Sequence, residues 1–220
     1  MRYNSLEGEL PVELRDLKSL RFLSLSNNMY EGPLPDIFEN MNYLETLLLE
    51  SNRFSGELST FKLPPKLRLV DLSDNEFSGL IEPSFLSSSP STEHIEVDLS
   101  DNMFTGIVPP TFARFERINL LLKGNFIEGV SPELCVKTLW NDGDVGAFGC
   151  DGLLCPHKHW APFGRSTKAH LCEECKSAHY FGAAICEDPI TAKSTSSASS
   201  QSMRLIPFIV PLFIAIIWPH

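Results

Sequence analysis

The sequence predicts an α/β repeat solenoid, a right-handed superhelix with short parallel strands on its concave face, closed by a loop-rich, cysteine-containing C-terminal cap. Three features predict it. An asparagine-centred frame recurs along the first 134 residues, leucines alternate just ahead of each asparagine, and all six cysteines lie after the last repeat. Internal repetition at a fixed period is the first thing to settle in a sequence, because it fixes the architecture.

The frame is clearest in Leu67 to Gly79, LRLVDLSDNEFSG. Around Asn75 stand Val70 and Leu72 before it, and Phe77 and Gly79 after it. The same frame fits Asn28, Asn52, Asn102 and Asn125, and Asn4 carries its second half with Leu6, Gly8, Leu10 and Pro11. Successive asparagines lie 24, 24, 23, 27 and 23 residues apart. Alternation reads as a short strand, with Leu47 and Leu49 inward and their neighbours outward. An asparagine past the strand can bond the backbone groups that a tight bend leaves unpaired, so Asn28, Asn52, Asn75, Asn102 and Asn125 are expected to form a structural ladder. Glycine four residues on suits unusual dihedrals or close backbone approach.

The stretch Leu17 to Pro35, LKSLRFLSLSNNMYEGPLP, resembles the plant-type leucine-rich repeat, LxxLxxLxLxxNxLxGxIP, at nearly every defined position. The apolar-proline ending is present at Leu10-Pro11, Leu34-Pro35 and Val108-Pro109, while Glu82 and Ser131 replace the proline. The resemblance covers about residues 1 to 134, roughly six repeats with the first partial. It implies an ectodomain like those of extracellular receptor-like proteins of plants and algae.

Length and composition agree. The 220 residues are 43% hydrophobic, enough for a core, and the net charge is −10. Residues 1 to 134 hold 21 acidic and 11 basic side chains, whereas residues 135 to 220 hold seven of each. An acidic array is not expected to bind nucleic acid, since phosphate contacts are made by Lys and Arg. Met1 to Asn4 enters a repeat midway with neither a signal segment nor a cap, so the expectation is a chain truncated at its amino end.

The residues between inward leucines should form the concave binding surface. Leu48, Glu50, Leu69, Asp71, Ser73, Glu96, Asp98, Ser100 and Leu121 are the candidates, with an acidic middle flanked by leucines. Such a surface suits a basic or mixed apolar-basic peptide or protein segment, with a wall glycan and a co-receptor as further partners. The Asp of the common L-D-L-S phrase is equally an ordinary solvated strand residue. The serine-rich stretch Phe85 to His94 reads as an enlarged surface loop.

Residues 135–190 form the cap. Cys135, Cys150, Cys155, Cys172, Cys175 and Cys186 read as disulfide staples that shield the last leucines, with connectivity left open. Cys150, Cys155, Cys172 and Cys175, with His157, His159, His170 and His179 nearby, also have ligand types that suit zinc. No G-x-S-x-G, H-E-x-x-H or G-x-x-x-x-G-K element is present, and neither enzymatic activity nor a cofactor is expected.

Residues 191–204 are a small, polar, Ser-rich linker, and residues 205–220 contain the apolar run Leu205 to Trp218. At 14 residues with two prolines, that run is shorter than the roughly 20 residues of a membrane-crossing helix. It fits a lipid-anchor signal with Ser194 as the attachment residue, or a short transmembrane segment. These features predict a non-catalytic, peptide- or protein-binding ectodomain at the outer face of the plasma membrane or in the cell wall. Signalling would require a partner, since no kinase follows. The alternatives are an adhesive or structural surface protein without a specific ligand, and an intracellular scaffold with a zinc cap.

Overall fold

Each repeat folds into one turn of a parallel-strand solenoid and contributes two strands rather than the single one expected. The computed structural model describes residues 4–58 and 63–187. In chain order the strands are β1 (Glu7–Gly8), β2 (Phe22–Ser24), β3 (Met29–Gly32), β4 (Thr46–Leu48), β5 (Arg53–Glu57) and β6 (Leu69–Asp71). They continue as β7 (Glu76–Leu80), β8 (Ile95–Asp98), β9 (Met103–Val108), β10 (Ile118–Leu121) and β11 (Phe126–Val130). A five-stranded parallel sheet runs β10-β8-β6-β4-β2, and a six-stranded one runs β1-β3-β5-β7-β9-β11. The first comes from the residues before each asparagine and lines the concave face; the second follows the asparagine.

The bend between the two strands explains the ladder. Asn27, Ser51, Asp74 and Asp101 adopt left-handed dihedrals, φ 53° to 56°, immediately before a ladder asparagine, and Gly124 does the same before Asn125. Asn and Asp tolerate that region better than other non-glycine residues. Each ladder asparagine then bonds both its own bend and the previous turn. Asn75 Oδ1 accepts the Phe54 N–H at 3.0 Å, while its Nδ2 donates to Leu49 O, Leu72 O and Ser73 O at 3.0–3.1 Å. Asn28, Asn52, Asn102 and Asn125 accept from the N–H groups of Leu6, Tyr30, Phe77 and Phe104 in the same way.

One continuous apolar core lies between the sheets and the returning segments. The inward residues of the five-stranded sheet are buried, Leu47, Val70 and Leu120 completely. Two positions past each asparagine, Tyr30, Phe54, Phe77 and Phe104 form a column of near-parallel rings with centroids 5.9, 6.2 and 6.4 Å apart. Offset rings at that spacing attract beyond their area burial. The returns include short 3₁₀ turns such as Val12–Asp16 and Pro110–Arg114, so the helical share of the α/β class is small. Ser131 replaces the expected proline without loss of the turn, because its hydroxyl donates to Val108 O at 2.8 Å. The stretch Phe85 to His94 is more than a surface loop: Phe85 and Leu86 enter the core, and Arg114 ties it down by donating to Leu86 O and to Ser89 O.

The cap shares this core instead of packing a separate one. Trp140, Val145, Leu153 and Leu154 are buried against the last turn, and Trp140 Nε1 donates to Phe115 O at 3.1 Å. Asn141 Oδ1 accepts the Leu120 N–H at 2.8 Å, satisfying the exposed edge of β10. Phe181 N–H donates to Ile127 O at 2.9 Å and does the same for β11. A helical turn, α1 (Asp144–Phe148), and a two-stranded antiparallel ribbon, β12 (His159–Trp160) with β13 (Glu173–Glu174), complete the cap. Three disulfides staple it: Cys135–Cys150, Cys155–Cys172 and Cys175–Cys186. The zinc alternative is thereby corrected, since every cysteine sulfur is bonded to another sulfur and none is left as a thiolate ligand.

Ser194, the linker and the apolar tail lie outside the described residues. Among the described residues no helix is long and apolar enough to cross a membrane.

Candidate concave binding site

The candidate site is built where three strands of the concave sheet meet the cap. Strands β6, β8 and β10 align Leu69 with Glu96 and Asn119, and Asp71 with Asp98 and Leu121. With Val70, Val97 and Leu120 turned into the core, these six side chains face outward. Asp142 and Arg165 of the cap stand beside them and help enclose a hollow of about 240 Å³. Asp142 is held there by Asn119, whose Oδ1 accepts the Asp142 N–H at 3.1 Å and whose Nδ2 reaches both carboxylate oxygens at 3.3 Å. Arg165 is fixed by Asp144 at 3.1 Å, with both side chains largely buried.

The hollow is acidic. Asp71, Glu96, Asp98 and Asp142 line it, and its one cation, Arg165, is already paired with Asp144. Asp71 accepts from the Ser73 N–H at 3.0 Å and the Ser73 hydroxyl at 2.6 Å. Asp98 accepts from the Ser100 N–H at 2.8 Å. Burial pushes the Asp98 carboxyl above its ordinary value; the Ser100 hydrogen bonds pull it back, the Asp71 charge raises it and Lys123 lowers it. A cation placed among these groups would relieve both the repulsion and the desolvation. Leu69 and Leu121 give the site apolar walls.

Of the nine residues expected on the surface, Leu69, Asp71, Glu96, Asp98 and Leu121 converge on the hollow. Leu48 and Ser100 are buried instead. Leu48 stands between Ser24 and Asp71 of the neighbouring strands. Ser100 is tucked into the ladder: its carbonyl accepts from Asn102 Nδ2 at 3.1 Å and from the Asp74 N–H at 3.0 Å. Glu50 is half-buried and accepts from the Ser26 hydroxyl, and Ser73 serves Asp71. Asp142 and Arg165 were not foreseen, because no spacing rule connects the cap with strand columns. No group of His, Cys, Asp and Glu with the arrangement of a metal site occurs among the described residues.

Comparison with known proteins identifies the architecture. The family described as Leucine Rich Repeat matches residues 19–41, 66–88 and 95–115. A crystal structure of a plant ice-binding protein superposes with a TM-score of 0.53 at 35% identity, over 61% of this chain and 43% of that one. The PEPR1–AtPEP1 structure gives 0.52 at 30% identity, over 62% and 19%. The chain is a plant-type leucine-rich-repeat protein. The Arabidopsis receptor kinase HAESA, in complex with the peptide hormone IDA and the co-receptor SERK1, gives 0.52 at 25% identity, over 64% and 24%. This leucine-rich-repeat chain therefore spans less than half the length of each of these structures. No curated protein sequence matches it.

Proposed function

We infer that this chain is a non-catalytic ectodomain of a receptor-like cell-surface protein, and that its concave face binds a peptide or protein segment carrying a cationic side chain between apolar ones. The observation that carries this reading is the hollow of Asp71, Glu96, Asp98 and Asp142 between Leu69 and Leu121, whose only cation is paired elsewhere. HAESA, named above with a peptide hormone and a co-receptor, is similar over 24% of its length and supports a peptide ligand and a co-receptor. Three disulfides fit an oxidising, extracellular setting. Attachment to the membrane through the tail, by a lipid at Ser194 or by a short span, belongs to the same proposal.

The test uses two 12-residue probe peptides, one alternating Leu and Arg and one alternating Leu and Glu, titrated into the folded, oxidised chain. The Leu/Arg peptide is expected to bind, with an on-rate that falls as salt rises, and the Leu/Glu peptide is not. Changing Asp71, Glu96 and Asp98 together to Lys should weaken binding at least tenfold, about 1.4 kcal/mol or more. Unchanged affinity in that variant overturns the reading and leaves the adhesive role.

The likeness to a plant ice-binding protein supplies a second reading, which the outer sheet disfavours. On β3, β5 and β7 its outward positions include Glu31, Arg53, Glu57 and Glu76, strongly hydrated charges that interrupt a regular face over those turns. Activity in an ice-recrystallisation assay would restore it.

A further inference from the structure

The outward face of the six-stranded sheet changes character along the solenoid. One residue past each ladder asparagine the sheet passes from Arg53 and Glu76 to Met103 and Phe126, and five past it from Glu57 to Leu80 and Ile107, these four apolar side chains being 40–60% exposed. These four form one surface. Leu80 pairs across β9 with Thr105, and Thr105 pairs across β11 with Phe126. Leu80 Cδ2 lies so close over Gly106 that a Cβ there would stand 2.5 Å away, and Ile107 lies at ordinary contact distance over Gly129, its Cγ1 3.7 Å from such a Cβ. The surface continues onto the cap, where Tyr180 meets Phe126 edge-to-face with centroids 5.2 Å apart. Beyond them a groove of about 340 Å³ runs between Phe126, Tyr180, Ala183 and Ile185, the last 76% exposed.

A contiguous apolar face of this extent on one side of an otherwise charged solenoid marks an interaction site. Its surroundings decide the occupant. Glu57, Glu76, Glu128 and Glu187 border it, and the nearby Lys123 is paired with Asp101. A second copy would set these carboxylates against themselves in a chain of net charge −10. Pressing this face into a bilayer would strip water from these carboxylates with no counter-charge to replace it. We propose that Leu80, Met103, Ile107, Phe126, Tyr180 and Ile185 form a docking surface, separate from the concave hollow, for a different protein whose apolar patch is bordered by Lys and Arg.

The test places a photo-crosslinking benzoylphenylalanine at Thr105, between Leu80 and Phe126, in the full chain expressed in its own cells, with the same group at Ser55 as control. The expected result is an adduct from position 105 and not from 55, with another protein whose cross-linked peptide combines apolar residues with Lys or Arg. Ile107→Glu with Phe126→Glu should lower its yield at least tenfold, while Asp71→Asn with Asp98→Asn leaves it unchanged. Should the double Glu variant melt early, Ile107→Ser takes its place. No adduct, an adduct with this chain, a second copy or lipid, an acidic contact peptide, or a yield indifferent to the patch variants overturns the proposal.

Discussion

Replacing Asn75 by Ala tests the physical basis of the ladder. Asn75 stands in the middle of the described turns and is buried, and its amide makes four hydrogen bonds of 3.0–3.1 Å to two successive turns. Truncation strands the N–H of Phe54, a residue with no solvent exposure, which costs about 1–3 kcal/mol. The carbonyls of Leu49, Leu72 and Ser73 lose one donor each but keep another, Asn52 Nδ2, Asn102 Nδ2 and the Ser51 N–H, so together they add about 1 kcal/mol. The expected loss is therefore about 3 kcal/mol, read from urea unfolding of the oxidised protein. The same change at Asn52, which is only half-buried, should cost less. A fall in the denaturant slope for the Asn75 variant would show the array separating into two cooperative blocks, as nearest-neighbour coupling allows. A loss below about 1 kcal/mol at Asn75, or a larger loss at Asn52, refutes the account.

Two further outcomes follow from the same structure. The native state holds the Asp98 proton more tightly than the unfolded chain does, so stability falls as pH rises from about 3.8 through the raised native value. Asp98→Asn should thus raise the melting temperature at pH 7 and lose that advantage near pH 3; an equal gain at both pH values contradicts it. Removing the Cys155–Cys172 bridge with a double Ala variant should cost about 3 kcal/mol, as for a loop of this length, and a chelator should leave the parent's urea midpoint unmoved. An unchanged midpoint in the variant, or a midpoint lowered by chelator, refutes it.

The repeat period, the inward leucines and the ladder asparagines could be read from residue order because each is encoded within about 13 residues. One turn cannot bury its own apolar side, so the pattern has no stable solution except stacking. The glycine after each asparagine was legible for the same reason. It takes φ between 74° and 87° at Gly8, Gly32, Gly56, Gly79 and Gly106, but not at Gly129, where β11 shifts register.

The second sheet is hard to read from residue order, because each of its strands turns one large apolar residue inward, Phe77 or its equivalent, with glycine two places on, where the concave strands alternate two leucines. Disulfide pairing, the burial of Leu48 and Ser100, and the arrival of Asp142 and Arg165 beside Asp98 were decided by tertiary structure alone. They depend on where the cap, with no period of its own, folds back across the last strands. Asn141 shows the difference most plainly. Its side chain takes the Leu120 N–H as a ladder residue might, but no repeat frame surrounds it, and only the closing of the exposed β10 edge gives it that role.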